Sequence, residues 1–291
     1  MEKILAVDIG GTKLAAGVVS AKGQLLDRGQ VATGTPDDAA QLFGVLSELL
    51  QRFAPFDQYL VCGVGCGGPM SAGGVLVSPL NIRAWREFPL AEELGRLTGL
   101  ATRVDNDAKA LALAEGWVGA AIGVRDYMAM VVSTGVGGGI VLDGRLLDGR
   151  SGNAGHVGHV LVEPDGYPLP HHVPGVLEAE VSGTAIAHRS GRPPSSASTV
   201  EIERVGRLVG RAIGSTANLL DLKLALVAGS VALGYGEPFF SAAQSEVDAI
   251  CRLDYSRGTR IEPAGCGDEG PLIGAAAVGL RHLGRSVGII A

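Results

Sequence analysis

The sequence has few of the features that mark secreted, membrane-spanning or nucleic-acid-binding proteins. Only four of its 291 residues are cysteine and 4% are aromatic, and four cysteines in a chain this long do not form a disulfide framework. The longest apolar stretch, residues 212–234, is broken by Asp221 and Lys223, so no membrane span is expected. A net charge of −6 provides no basic face for phosphate backbones or membrane surfaces. The sequence therefore predicts neither a nucleic-acid nor a membrane partner.

Glycine, by contrast, is abundant. The chain has 45 glycines, about twice the usual share of roughly 7%. They cluster at the ends of apolar runs, where a tight turn or a bound ligand needs bare backbone. With 46% hydrophobic residues, the composition is that of a globular protein of one large or two medium domains. The first apolar run carries Asp8, so it does not read as a signal peptide, and with the few cysteines this predicts a cytoplasmic protein.

Hydrophobic periodicity predicts two similar α/β units, each opening with a strand, a Gly-rich turn and a second strand. Strands are expected over residues 3–8, 14–19, 24–32, 59–65, 101–104, 127–133, 139–142 and 224–228. Helices are expected over residues 37–53, 90–98, 107–118, 199–221, 239–252 and 271–283. We therefore expect an N-terminal lobe of residues 1–117 plus a C-terminal helix at about 271–291, and a C-terminal lobe of residues 118–270.

The first Gly-rich turn, DIGGTK, lies between two predicted strands. Gly10 and Gly11 let consecutive N–H groups point at one anion. Thr12 adds a hydroxyl donor and Lys13 a cation, while Asp8 can hold a metal ion through water. Together these residues suit a nucleotide phosphate with Mg²⁺, although an ordinary hairpin turn explains the motif equally well when it is taken alone.

A second turn, STGVGGG at residues 133–139, follows the same logic with Thr134, Gly135 and Gly137. Two such turns predict that each lobe grips nucleotide phosphates from one side of a cleft. The chain lacks the G-x-x-x-x-G-K-[ST] pattern of a P-loop. Residues 63–68 fit the dinucleotide fingerprint G-x-G-x-x-G, but Pro69 follows where a helix would have to begin, so a dinucleotide site is not expected.

Two further groups of polar residues are candidates for chemistry. Asp107, after Asp105 and Asn106, is a candidate general base for an attacking hydroxyl, with Asn106 orienting that hydroxyl. Helix capping accounts for one of the two aspartates but not for the whole group. His156 and His159, spaced i, i+3, suit a metal ion or a polyhydroxylated ligand, and a satisfied core histidine is the alternative for one of them.

These motifs, in this order, resemble the ROK family of sugar kinases and sugar-responsive repressors over nearly the whole chain. DIGGTK and STGVGGG resemble its phosphate motifs, and DNDA at 105–108 its catalytic loop. AGHVGHVLVEPDG at 154–166 resembles its A-G-E-x-G-H signature. AGSVA at 228–232, which contains Gly229, resembles its adenosine segment, and PLIGAAAVGL at 271–280 its closing helix.

The resemblance implies an actin-like ATPase (ribonuclease H-like) fold of two α/β lobes with a cleft between them. It implies ATP and Mg²⁺ as cofactors, a homodimer, and transfer of the γ-phosphoryl group to a sugar hydroxyl, usually O6. Asp107 resembles the family's base, and Asn106 one of its sugar ligands. His159 and Glu178 resemble sugar contacts, and Asn81 in SPLNIRAW resembles a sugar-facing Asn.

The chain departs from the family at two places. His156 stands where the family usually has Glu, and this form is similar to bacterial N-acetylmannosamine kinases, so a hexose or an N-acetylhexosamine is expected with His156 among its contacts. Where the family's zinc motif has three cysteines, this chain has Leu169, His171 and Val176. Without thiolates a structural zinc is not expected, and no metal ligand is assigned.

Three alternatives stay open at this point. A zinc site rebuilt from His159, His171 and His172 is one. A sugar-sensing repressor is another, although those proteins carry a helix-turn-helix ahead of the DIGGTK-like region and here Asp8 already lies in the first strand. A catalytically inactive sugar-binding protein is the third, and the intact Asp107 and phosphate turns argue against it.

Overall fold

The structure, a computed structural model, describes residues 1–36, 38–285 and 287. Its strands are β1 (Lys3–Ile9), β2 (Lys13–Ser20), β3 (Leu25–Ala32), β4 (Cys62–Cys66), β5 (Thr102–Asn106), β6 (Tyr127–Val132), β7 (Val136–Leu142), β8 (Arg145–Leu146), β9 (Leu224–Ala228) and β10 (Arg260–Pro263). Its helices are α1 (Ala39–Gln51), α2 (Leu90–Thr98), α3 (Asp107–Val118), α4 (Leu177–Val181), α5 (Gly183–Ser190), α6 (Thr199–Leu220), α7 (Ser230–Tyr235), α8 (Glu237–Ile250) and α9 (Gly270–His282).

The chain divides into two compact units, each built on a five-stranded sheet. The described residues of 1–123, 146–154 and 266–291 form the first unit, and residues 124–145 and 155–265 form the second. From the sequence we expected the lobes to divide after residue 117 and before residue 271. That these are the boundaries of two domains stays a prediction. The mixed α/β fold class itself is confirmed.

The first sheet has the strand order β3-β2-β1-β4-β5. β1, β2 and β3 pair antiparallel, as the predicted meander requires, while β1, β4 and β5 run parallel. The register sets Asp8 of β1 opposite Gly65 of β4, and Gly65 opposite Asp105 of β5. The carboxyl ends of these parallel strands therefore bring Asp8 to the same sheet edge as the segment that contains Asp107.

Helix α9 packs against β1, β4 and α3 of this unit, and at β4 and α3 glycines let backbone lie against backbone. A Cβ on Gly63 of β4 would lie 1.9 Å from the carbonyl oxygen of Ala275, and one on Gly274 would lie 2.3 Å from that of Ala110. Gly63, the first residue of the dinucleotide-like fingerprint, therefore serves backbone packing. No described helix starts directly after β4, as Pro69 predicts.

The second sheet, β10-β9-β6-β7-β8, repeats the opening of the first. β6 pairs antiparallel with β7 and parallel with β9, as β1 does with β2 and β4. Helices α6 and α8 pack closely against each other in this unit, and a Cβ on Gly206 of α6 would lie 2.5 Å from the carbonyl oxygen of Phe239. None of the described helices is long and apolar enough to cross a membrane.

One predicted boundary was wrong at the second turn. β7 begins at Val136 and not at residue 139, because Gly137 pairs with Val131 and Gly138 with Met130 in the ladder. A Cβ on Gly138 would lie 2.6 Å from a methyl carbon of Val157. The glycines after Val136 therefore serve close packing inside a strand, and the turn itself is confined to residues 133–135.

Candidate active site

Two hydrogen bonds from Thr33 hold the first Gly-rich turn in place. The Thr33 hydroxyl donates to the carbonyl oxygen of Gly10 at 2.7 Å, and its N–H donates to the carbonyl oxygen of Thr12 at 3.0 Å. The N–H of Gly10 donates to the carbonyl oxygen of Lys13 at 3.0 Å, which closes the turn. Gly11, Thr12 and Lys13 are exposed at its tip. The turn is thus preformed: the N–H of Gly10 is used within it, and Gly11, Thr12 and Lys13 are open to a ligand.

Asn81 lies beside this turn, since a Cβ on Gly11 would come within 2.8 Å of the Asn81 Cβ. The loop that carries Asn81 is anchored by Trp85, whose ring is fully buried and stacks on Phe88 at a centroid distance of 4.6 Å. The structure therefore brings Asn81 next to the first turn on a rigid support.

Asp8 and Asp107 meet across Gly65. A Cβ on Gly65 would lie 3.6 Å from both the Asp8 Oδ1 atom and the Asp107 Cα atom. Burial first, and then the nearby charge of Asp107, raise the pKa of Asp8 to about 7 against the opposing charge of Lys13. Two converging carboxylates supply the oxygen ligands that Mg²⁺ prefers, so these residues fit that ion.

The helix cap beside Asp107 is not an aspartate, contrary to the expectation that capping accounts for one of them. Asn106 caps α3, because its Oδ1 atom accepts the N–H groups of Ala108 at 3.0 Å and of Lys109 at 3.3 Å. Asp105 instead accepts the N–H of Asn106 at 2.8 Å and pairs with the ammonium group of Lys109 at 2.8 Å. Asp105 is thus held in an ion pair with Lys109, whereas Asp107, whose Oδ1 atom accepts the N–H of Ala108 at 2.9 Å, is the aspartate of this group that lies close to Asp8.

Lys109, which sequence reasoning did not single out, is a buried cation in this region with 1% of its surface exposed. Its ammonium group also donates to Asp148 Oδ1 and to the carbonyl oxygen of Gly152, each at 2.9 Å. Arg281 of α9 binds the other oxygen of Asp148 at 2.6 Å. The i, i+4 spacing of Asp105 and Lys109 was the available sequence signal.

The second turn presents Thr134 and Gly135, whereas Gly137 lies inside β7. Helix α5 binds this turn from the side: the N–H of Gly183 donates to the carbonyl oxygen of Ser133 at 2.7 Å, and the Thr184 hydroxyl to that of Thr134 at 2.9 Å. No charged side chain takes part in these bonds. The second turn is therefore organised by neutral groups.

Gly229 directly follows β9 and lies beside the second turn. Its φ is 101°, and a Cβ there would lie 2.3 Å from the carbonyl oxygen of Val132, so only glycine fits. The next residue, Ser230, places its hydroxyl 3.0 Å from that of Ser133. A cavity of about 560 Å³ opens here. Its lining includes Ser133, Thr134, Gly183, Thr184, Ile202, Ser230 and Tyr235. Most of these lie on short helices that sequence periodicity did not reveal.

His156, His159 and Glu178 gather in the second unit. The two imidazole rings are 5.2 Å apart, edge to face. Desolvation and the neighbouring His159 lower the pKa of His156, and the Glu178 carboxylate opposes this only in part. His156 is therefore neutral at physiological pH, with one ring nitrogen able to donate and the other to accept a hydrogen bond from a hydroxyl group.

The positions of the family's zinc thiolates do not fit a metal in this chain. Leu169 and Val176 are 4% and 5% exposed and pack with Ala179 and Ala185 in a small apolar cluster. His171 is exposed, with a φ of 66°. Within the described part of the chain, no group of three or more His, Cys, Asp or Glu side chains is arranged to hold a metal ion. That the protein works without zinc stays a prediction.

Comparison with known proteins places these features in one family. The sequence profile described as ROK family matches residues 4–281. The chain is 34% identical over 298 residues to the N-acetylmannosamine kinase of Yersinia pseudotuberculosis, an alignment that covers 95% of this chain and 98% of that protein.

Solved structures agree on the fold. A ROK family glucokinase from Streptomyces griseus, in complex with glucose and AMPPNP, has a TM-score of 0.82 and 27% identity, covering 96% of this chain and 99% of its own. A ROK family transcriptional regulator, described as a homologue of the Escherichia coli MLC protein, has a TM-score of 0.80 at 23% identity, covering 95% of this chain and 77% of its own.

Proposed function

We propose that this chain, which belongs to the ROK family and is an ATP-dependent sugar kinase, transfers the γ-phosphoryl group of ATP to the 6-hydroxyl of a hexose or an N-acetylhexosamine. The observation that carries the proposal is the approach of Asp107 to Asp8 and the preformed first turn at one sheet edge. Phosphoryl transfer needs positioning and charge neutralisation more than covalent chemistry, and this edge supplies both.

In the proposed reaction, Asp107 accepts the proton of the sugar hydroxyl as its oxygen attacks the γ-phosphorus. The bond from that phosphorus to the β–γ bridging oxygen breaks, and ADP leaves. Asp8 would hold Mg²⁺ through water beside Asp107, and the ion would neutralise phosphate charge when bound. Gly11, Thr12 and Lys13 bind phosphate oxygens on the turn that Gly10 closes, and Thr134, Gly135 and the cavity beside Gly229 receive the nucleoside side of ATP.

For the sugar we propose N-acetylmannosamine ahead of glucose. The curated relative with 34% identity carries the name N-acetylmannosamine kinase, and His156 offers a neutral donor and acceptor where the family usually has Glu. Asn81, Asn106, His159 and Glu178 are the remaining proposed sugar contacts. A homodimer and a cytoplasmic location belong to the same proposal.

A catalytically inactive sugar-binding or sugar-sensing protein is the second candidate, because ROK regulators share the fold. The two are separated by a coupled ADP-release assay with N-acetylmannosamine, glucose and other hexoses and N-acylhexosamines. We expect Mg²⁺-dependent ADP release with at least one sugar, and a 6-phosphate product by phosphorus NMR. Sugar binding by calorimetry without ADP release from any member of the panel would favour the sensor instead.

A further inference from the structure

A half-buried imidazole, His172, binds the proposed sugar ligand Glu178. His172 Nε2 lies 3.1 Å from Glu178 Oε1, and its Nδ1 lies 3.0 Å from the carbonyl oxygen of Pro170. The side chains are 23% and 13% exposed. Both partners of the ring are acceptors, and the ring nitrogen that faces Glu178 donates to a carboxylate oxygen, which is a stronger acceptor than a neutral group.

The second oxygen of Glu178 is engaged as well. Glu178 Oε2 accepts the N–H of Val136 at 2.6 Å, and Val136 is the first residue of β7, directly after the second Gly-rich turn. One carboxylate thus connects the loop that carries His172 with the strand that leaves that turn. With one bond on each oxygen, its rotamer is fixed and its other lone pairs remain for a ligand.

The loop that delivers His172 is itself braced. Glu180, whose surface is fully buried, accepts the N–H of Tyr167 at the start of the loop and pairs with Arg204 of α6. Leu169 and Val176 anchor the loop on either side of His172 by packing. The His172 ring is therefore fixed by its own two hydrogen bonds, and the loop that carries it is fixed by the polar contacts of Glu180 and by apolar packing.

We propose that His172 is a positioning residue for the sugar site: it holds the Glu178 carboxylate in the one orientation in which that group bonds to Val136 and faces the sugar hydroxyls. The inference rests on the proposed function, because it takes Glu178 as a sugar ligand. His172 itself acts through Glu178 and needs no contact with the sugar.

The test compares His172→Leu with His172→Gln. Leucine fills the space without a donor, whereas the glutamine amide can still donate to Glu178. His171→Asn is the matched control, because residue 171 is exposed on the same loop and Asn tolerates its positive φ. The measurements are KM for the sugar, KM for ATP, and amide hydrogen exchange of the peptide that contains Val136.

For His172→Leu we expect the sugar KM to rise about tenfold, as for the loss of one bond to a charged group, with a smaller change in the KM for ATP and faster exchange at Val136. In His172→Gln we expect the sugar KM and the exchange rate at Val136 to return most of the way to the wild-type values. His171→Asn should match the wild type in both. Wild-type sugar KM and exchange in His172→Leu overturn the proposal, and so does a glutamine variant no better than leucine. If the wild type phosphorylates no sugar, the proposed function fails, while the exchange comparison still decides the role of His172.

Discussion

The two Gly-rich turns share one topology and differ in chemistry. Each joins an antiparallel strand pair whose first strand also pairs in parallel with a third strand. The first turn carries Asp8 and Lys13 and lies near Asp107, so charge dominates it. The second is bound by the backbone and hydroxyl groups of Gly183, Thr184 and Ser230. A repeated backbone is thus surrounded by charged groups at the first turn and by neutral hydrogen-bonding groups at the second.

Turnover should depend more strongly on a single side chain near the first, charged turn than on any near the second. We expect Asp107→Asn to lower kcat by about 10²–10⁴-fold, the usual contribution of a positioned base, and to leave sugar affinity nearly unchanged. Steady-state kinetics with calorimetric sugar titration measure both. Glu237→Gln, a change at an acidic first-turn residue of α8 in the other unit, is the control. Wild-type kcat in a folded Asp107→Asn protein would place the base elsewhere.

Asp8 provides a pH test of the same contrast. Its folded pKa of about 7 lies above the ordinary value of 3.8, so the folded state retains a proton that the unfolded chain has lost between these pH values. The free energy of unfolding therefore falls as pH rises through this window, by up to about 4 kcal/mol.

Replacing Asp8 by Asn removes the loss of stability that comes from burying a charged carboxylate at high pH. We expect Asp8→Asn to be more stable than the wild type at pH 8 and nearly equal to it at pH 4, although its turnover falls. Urea unfolding without nucleotide at both pH values is the measurement, and Asp27→Asn on exposed β3 is the control. Equal unfolding free energies at pH 8 would show that burial does not penalise the charged form of Asp8.

The neutral turn depends instead on space for the backbone. We expect Gly229→Ala to lower the free energy of unfolding by about 3 kcal/mol, because the backbone conformation there is strained for any other residue and the new Cβ meets the Val132 carbonyl. Gly234→Ala, at an open position in α7, should instead be neutral or slightly stabilising. Chemical unfolding of the two variants side by side measures this. Similar losses of unfolding free energy in both would show that position 229 does not require glycine.

The apolar loop cluster should give the smallest effect. We expect Leu169→Ala to lower the free energy of unfolding by about 2 kcal/mol, and exposed Val173→Ala to have no effect. Elemental analysis of protein purified without a His-tag should find no stoichiometric zinc. Activity lost to a chelator and restored by zinc alone would contradict the packing account of this loop.

Features with local causes were predictable from the sequence. The meander around Asp8 follows from short turns between apolar runs, and α3 and α6 follow from periodicity. The start of β7 was missed because Gly137 and Gly138 read as a turn when their neighbours are unknown. The His172–Glu178 contact depends on a loop without periodicity, and it can be found only once that loop is folded.

The glycine-lined contact between α9 and β4 also bears on the order of folding during synthesis. Gly63 and its strand are made early, but Gly274 and Ala275, which cover them, follow only after the entire second unit has left the ribosome. Until then, the face of the first sheet on which α9 packs is covered only in part, by α3, so a nascent first unit exposes apolar surface there. The first unit therefore matures last, and the segment that carries Asp107 reaches its final packing only when α9 docks.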